Sequence, residues 1–217
     1  MKDKIIYVMD PLCGWSYANS ANFVKFYKEY KDEYDFEILV GGIKLGEECT
    51  TGGPDMLEYI KRKGRRITQL SGAKFSDEYF SNLASNEEYV FDSFPSSIAI
   101  VTVKYLNNEA AILYADELQR TQFEEGKDNN CENVLADIAM KFGINRNEFL
   151  EMYRSERAMD LTLEDFVRVR EIGVDSFPVM YLQSGDDIKL LAKGYLTMNE
   201  MEKSLAFCFK NLRDIKL

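Results

Sequence analysis

The segment Asp10-Pro11-Leu12-Cys13-Gly14-Trp15-Ser16-Tyr17 follows directly on the apolar run Ile5-Ile6-Tyr7-Val8-Met9. A short apolar strand, a proline turn and a cysteine opening a helical pattern present a thiol at a helix N-terminus. Unpaired N–H donors and about half a positive charge gather there, which stabilises a thiolate. Cys13 is therefore the candidate nucleophile, with a thiol expected below the free value of about 8.5. Three positions on stands Ser16, so the spacing is C-x-x-S. A second thiol there would resolve a mixed disulfide by intramolecular exchange. A hydroxyl can hydrogen-bond to the Cys13 thiolate but cannot resolve, so turnover must pass through an external thiol. Trp15, the only tryptophan, lies between the two positions and reads as substrate surface or as core packing. Asp10 reads as a turn residue or as a proton carrier.

The remaining composition closes off other chemistries. Histidine is absent, which removes Ser-His-Asp and Cys-His catalysis, histidine-ligated metal and a histidine base. Four cysteines, Cys13, Cys49, Cys131 and Cys208, form no C-x-x-C pair, so no zinc site is expected, and in a reducing compartment they are free thiols. Cys49 follows the second strand at the sheet end that carries Cys13, and is an alternative resolving thiol. Cys131 reads as a helix-start residue and Cys208, beside Phe207, as core. A net charge of −10 disfavours nucleic acid and anionic membranes as partners. The basic run Lys61-Arg62-Lys63-Gly64-Arg65-Arg66 reads as a solvated helix face or a docking patch. The 46% apolar content and 13% aromatics belong to an ordinary globular chain with ample core. No apolar run approaches the roughly 20 residues of a membrane span. Met1-Lys2-Asp3-Lys4 leads into a strand without a cleavage site, so a cytoplasmic location is expected.

The elements that must position Cys13 follow from periodicity. Residues 4–9 and 36–40 read as strands and 14–31 as a helix, a βαβ opening whose strands should be parallel with a right-handed crossover. From 56 to 156 the pattern is helical, with helices over 56–68, 76–85, 95–107, 109–125, 131–142 and 147–156. Thr162-Leu163-Glu164-Asp165 carries capping signals for a further helix to Glu171. Residues 178–182 and 188–192, joined by Ser184-Gly185-Asp186-Asp187, read as a hairpin, and a last helix covers Met198 to Leu212. Gly173-Val174-Asp175-Ser176-Phe177-Pro178-Val179 places a proline at the start of the hairpin. It cannot donate to a ladder, so the backbone before it is free to pair with an extended substrate peptide. Phe177 and Pro178, with Trp15, are the substrate-binding candidates.

These motifs resemble the DsbA-like branch of the thioredoxin superfamily, especially the cytoplasmic FrnE-type proteins and disulfide isomerase-like proteins. That group's active site reads Asp-Pro-Met/Leu-Cys-x-Trp-Cys-Tyr/Trp, matched by Asp10 to Tyr17 except at Ser16. Its proline segment, Gly-Val-x-Gly-Phe-Pro, is matched by Gly173 to Pro178 with Ser176 for glycine. Gly41-Gly42, and Leu118-Gln119-Arg120 running into Phe123-Glu124-Glu125-Gly126-Lys127-Asp128, are similar as well. The resemblance implies an α/β, thioredoxin-like fold with a mixed parallel and antiparallel sheet, interrupted by a large all-helical insertion. Its parts would be 1–53 (βαβ), 54–159 (insertion) and 160–217 (αββα). It implies thiol–disulfide oxidoreductase or isomerase chemistry with Cys13 attacking and a cis proline at Pro178, here working as a monothiol with Ser16. No bound cofactor or metal is expected; glutathione is the candidate co-substrate, and protein or small-molecule thiols and disulfides are the partners. The assembly is left open between a monomer and a homodimer. Two alternatives stand beside this reading. One is a glutathione-binding enzyme like the kappa-class transferases and 2-hydroxychromene-2-carboxylate isomerases, which place a serine where Cys13 stands. The other is a non-catalytic thioredoxin-fold adaptor.

Overall fold

The computed structural model describes residues 2–214, with side chains as far as Cys208; the expected outer limits of the chain's parts, at residues 1 and 217, lie outside them. Strand β1 (Lys4–Met9) leads through α1 (Gly14–Tyr30) to β2 (Asp35–Val40). After a 3-10 turn at Gly46–Glu48 come β3 (Thr50–Thr51), α2 (Pro54–Ser71) and α3 (Asp77–Tyr79), which runs into a π-helical turn at Phe80–Ala84. Next follow β4 (Val90–Phe91), α4 (Ser93–Leu106), α5 (Ala111–Phe123), α6 (Glu132–Met140), α7 (Arg146–Tyr153) and α8 (Glu156–Glu171). The hairpin β5 (Val179–Ser184) and β6 (Asp187–Lys193) and helix α9 (Met198–Asp214) close the described chain.

Four strands form one sheet in the order β2-β1-β5-β6. β1 pairs parallel with β2, Tyr7 opposite Ile38, and antiparallel with β5, Tyr7 opposite Met180. As the central strand, β1 is covered on both faces, which is why it reads as an unbroken apolar run. Ile5, Tyr7 and Met9 enter the larger core with Phe23 and Phe26 of α1, Met201 of α9 and much of the insertion. Ile6 and Val8 point the other way, against Val169 of α8. The Tyr7 and Phe23 rings stack at 3.8 Å and lock α1 over the sheet.

The chain is thus a mixed α/β fold interrupted by helices, with two departures from the sequence expectation. The insertion is not wholly helical: Val90–Phe91 pairs antiparallel with Thr50–Thr51, two residues too short to show a period. The 159/160 boundary falls inside α8, a single helix capped by Ser155, whose hydroxyl accepts from the N–H of Ala158. Thr162 is therefore no cap. It is buried in mid-helix, and its hydroxyl donates to the Ala158 carbonyl, the back-bond that a threonine makes when its polar group has no water. The insertion shares the sheet's core and is tied to it by Lys104, whose ammonium donates to both carboxylate oxygens of Asp165 on α8 and to the Ile38 carbonyl of β2. Among the described residues no helix is long and apolar enough to cross a membrane.

Candidate active site

Asp10 follows β1 directly, and the chain must reverse within three residues to enter α1. The turn is held by its own backbone, Cys13 N–H donating to the Asp10 carbonyl at 3.1 Å. Gln119 of α5 clamps it from behind, its amide nitrogen donating to the carbonyls of Asp10 (3.2 Å) and Pro11 (3.3 Å). Cys13 becomes the N-cap of α1 with extended backbone, its carbonyl accepting from Tyr17 N–H at 3.0 Å. Gly14 follows because α2 lies directly above. A Cβ there would stand 2.8 Å from Cδ1 of Ile67 and 3.4 Å from the Phe75 ring.

Across from this turn the Phe177–Pro178 peptide is cis. The Cys13 thiol reaches the Phe177 carbonyl, with sulfur to oxygen at 3.6 Å. Phe177 thus contributes its main chain to the site, while its ring turns over Gly41. A Cβ on Gly41 would lie 2.1 Å from Cζ of that ring, so the glycine after β2 is required by close approach rather than by backbone conformation. Pro178 is buried, and its carbonyl accepts from Gly194 at 2.8 Å. Trp15 is half-buried on the lip. Ser16 is fully buried beneath Cys13, its hydroxyl accepting from Asp10 N–H at 3.4 Å. The structure therefore brings Cys13, Ser16, Trp15, Phe177 and Pro178 together.

Cys49 is not among the residues lining the cleft. It follows the 3-10 turn, and burial, with the Asp92 carboxylate beside it, pushes its thiol up; its neighbour Thr50 reaches the cleft instead. Cys131 caps α6, and Cys208 packs against the main core. The basic run on α2 is a solvated face in which only Gly64 is buried.

The electrostatics correct one expectation. Burial pushes the Cys13 thiol above its ordinary value, and the charge of Asp10 adds to this. The N–H groups of Ser16 and Trp15 and the Ser16 hydroxyl act in the opposite sense but are outweighed. The helix terminus supplies its donors as the sequence requires, yet the desolvation of the partly buried thiol outweighs them. Asp10 is itself fully buried, accepting from Leu12 N–H (2.8 Å), Ile43 N–H (2.8 Å) and the Ser93 hydroxyl (3.3 Å). Burial raises its carboxyl from 3.8 to about 6 in spite of these donors, so it is ionised at neutral pH.

Beside Cys13 opens a cleft of about 530 Å³, roofed by Met56, Tyr59, Ile60 and Ile67 of α2 and backed by Phe75, Phe91 and Phe123. Its charged lining residues are Lys44 and Lys63. The back wall belongs to a separate aromatic cluster in which Tyr17 stacks on Phe123 at 4.8 Å. Sequence reasoning missed this cleft and the clamp by Gln119. Gln119 stood in a recognisable motif, but nothing local shows that its amide points at residues more than a hundred positions away.

Fold and site together define a thioredoxin-like α/β protein with a helical insertion and a lone thiol at a helix N-terminus facing a cis proline. A family model described as thioredoxin matches residues 7–203, and the chain belongs to that family. Among solved structures it is similar to a candidate protein disulfide isomerase from Nitrosomonas europaea, at 23% identity and a TM-score of 0.86, covering 97% of this chain and 99% of that one. It is also similar to the cytosolic disulfide reductase DsbM of Pseudomonas aeruginosa, at 22% identity and a TM-score of 0.75, covering 97% and 98%. That reductase has a structure with GSH as well. The ClpXP adapter protein SpxH of Halalkalibacterium halodurans is 22% identical over 173 residues, 78% of this chain. The chain spans only 55% of that curated relative's length.

Proposed function

We propose that this chain is a monothiol thiol–disulfide oxidoreductase with Cys13 as nucleophile and glutathione as co-substrate. The observation that carries the reading is the placement of the Cys13 sulfur at the start of α1, 3.6 Å from the carbonyl that precedes the cis proline, with Ser16 buried beneath it. Cys13 gives up its proton and attacks one sulfur of a disulfide. A Cys13–substrate disulfide forms, and the other half leaves as a thiolate that takes a proton. Ser16 cannot expel the bound half. An external thiol attacks the mixed disulfide instead, leaving as the new disulfide and returning Cys13 as a thiolate. One sulfur pair is exchanged for another, and no net electrons are lost. The cleft suits a substrate half with an apolar arm and an acidic group, the first meeting Tyr59, Ile60 and Phe75 and the second Lys44 or Lys63. The four unpaired cysteines suit a reducing compartment, and we place the protein in the cytoplasm.

A second reading is favoured by the raised Cys13 thiol: a non-catalytic adaptor that uses the same groove to hold a partner. One experiment separates the two. Wild-type protein, Cys13→Ala and Ser16→Cys are incubated with oxidised glutathione and examined by intact mass, then assayed for disulfide reduction with a dithiol donor. The oxidoreductase reading expects one glutathione adduct in wild type and none in Cys13→Ala. In Ser16→Cys it expects an internal disulfide and faster turnover, at small steric cost because the two side chains differ little in volume. No adduct in wild type and no internal disulfide in Ser16→Cys would leave the adaptor reading.

A further inference from the structure

Helix α8 closes the face of the sheet opposite α1, packing inward through Ala158, Thr162, Asp165 and Val169. Its outward face carries Met159, Leu163 and Val167, exposed to 46%, 47% and 51%. Positions four apart form one continuous ridge on a helix, here about 12 Å long. Apolar residues scattered singly on a surface need no explanation, but three in register on one ridge do.

We propose that this ridge is a self-association surface on which a second copy of the chain docks its own α8 antiparallel about a two-fold axis through Leu163. The charges at the ends of the ridge argue for this partner. Glu156 and Arg170 lie seven residues on either side of Leu163, two turns away, and so point about 20° to either side of its direction. Both are exposed. The ion pairs made by α8 itself are Asp165 with Lys104 and Arg168 with Glu37, and among the described residues Glu156 and Arg170 have none. Antiparallel docking sets Leu163 on Leu163, Met159 on Val167, and each Glu156 opposite the other copy's Arg170. A parallel pair would instead oppose like charges at both ends. Asp160 lies on the same side of the axis as Glu156, one turn closer to it, and adds its negative charge towards the Arg170 end of the partner. The two-fold is isologous and closed, giving a dimer and not a fibre. It does not depend on the chemistry proposed for Cys13.

A contact centred on one helix pair falls at the small end of specific interfaces, below about 1,200 Å² in total, so a dissociation constant of about 10–100 µM is expected. Sedimentation equilibrium of the full chain in reducing buffer, over about 5–500 µM, reads it directly. Glu156→Arg alone and Arg170→Glu alone should each weaken association by about tenfold or more, since each sets like charges opposite one another twice in the dimer. An equimolar mixture of these two variants should associate within about threefold of wild type, because every Arg then meets a Glu across the axis. Leu163→Asp should leave only monomer. Circular dichroism confirms that the surface variants fold. Wild type that stays monomeric at the highest concentration would overturn the proposal and leave the ridge to a different protein. So would charge variants that associate as wild type does, or a mixture that is not restored.

Discussion

Replacing Asp10 by Asn should remove an unfavourable pH dependence from the fold. Asp10 is fully buried and its carboxyl is raised from 3.8 to about 6. The folded protein therefore keeps this proton up to about pH 6, while the unfolded chain loses it near 3.8. Because the folded state binds more protons in that window, stability falls as pH rises through it, the reverse of an ordinary salt-bridged aspartate. A shift of this size corresponds to about 3 kcal/mol, of which about 2.5 kcal/mol develops between pH 4 and pH 7.5. Asn cannot ionise and carries no such term. It does lose one acceptor, but that loss is the same at every pH and drops out of the comparison. Urea unfolding of both proteins at a series of pH values isolates Asp10, since every other carboxylate cancels in the difference. The stability gap should move by about 2.5 kcal/mol in favour of Asp10→Asn as pH rises from 4 to 7.5. A gap that stays constant to within about 0.5 kcal/mol, or that moves towards wild type, refutes the assignment of the raised carboxyl to burial. The same variant should lower the midpoint of the Cys13 alkylation profile, because the Asp10 charge is one of the groups that hold that thiol up.

Two further outcomes follow from the geometry. Gly41→Ala would drive a Cβ to within 2.1 Å of the Phe177 ring, an overpacking that costs about 1–3 kcal/mol. Thermal unfolding should show the loss, and Gly41→Ala combined with Phe177→Val should recover part of it; an unchanged melting temperature in the single variant would contradict the packing. Gln119→Leu removes both side-chain donors to the Asp10–Pro11 turn, a loss of about 1–3 kcal/mol, and should shift the pH profile of Cys13 alkylation; a destabilised protein with an unmoved profile would mean that Gln119 does not position the thiol.

Much of the scaffold was legible in the chain itself. The unbroken apolar run of β1 announces a strand covered on both faces, and the proline turn with Cys13 behind it announces a helix entry. The hairpin after Pro178 is carried by its Gly-Asp turn. These signals are local: strand burial, capping and turn chemistry act over a few residues, and the tertiary fold agrees with them. Thr162 shows where local reading fails, because a threonine beside acids suits a cap and a buried helix interior alike, and only packing against the sheet decides between them. The two-residue β3–β4 ladder has no period to read at all. The site divides the same way. Its residue types and order were written in the motifs around Cys13 and Pro178. The direction of the thiol's shift was not, since it depends on how far the folded chain buries Cys13 and on where the Asp10 carboxylate ends up. The sequence alone determined that a thiol stands at a helix N-terminus with a serine, not a cysteine, three positions on. Only the tertiary structure decided how far water is kept from it, because burial is a property of what folds over a residue and not of its neighbours in the chain.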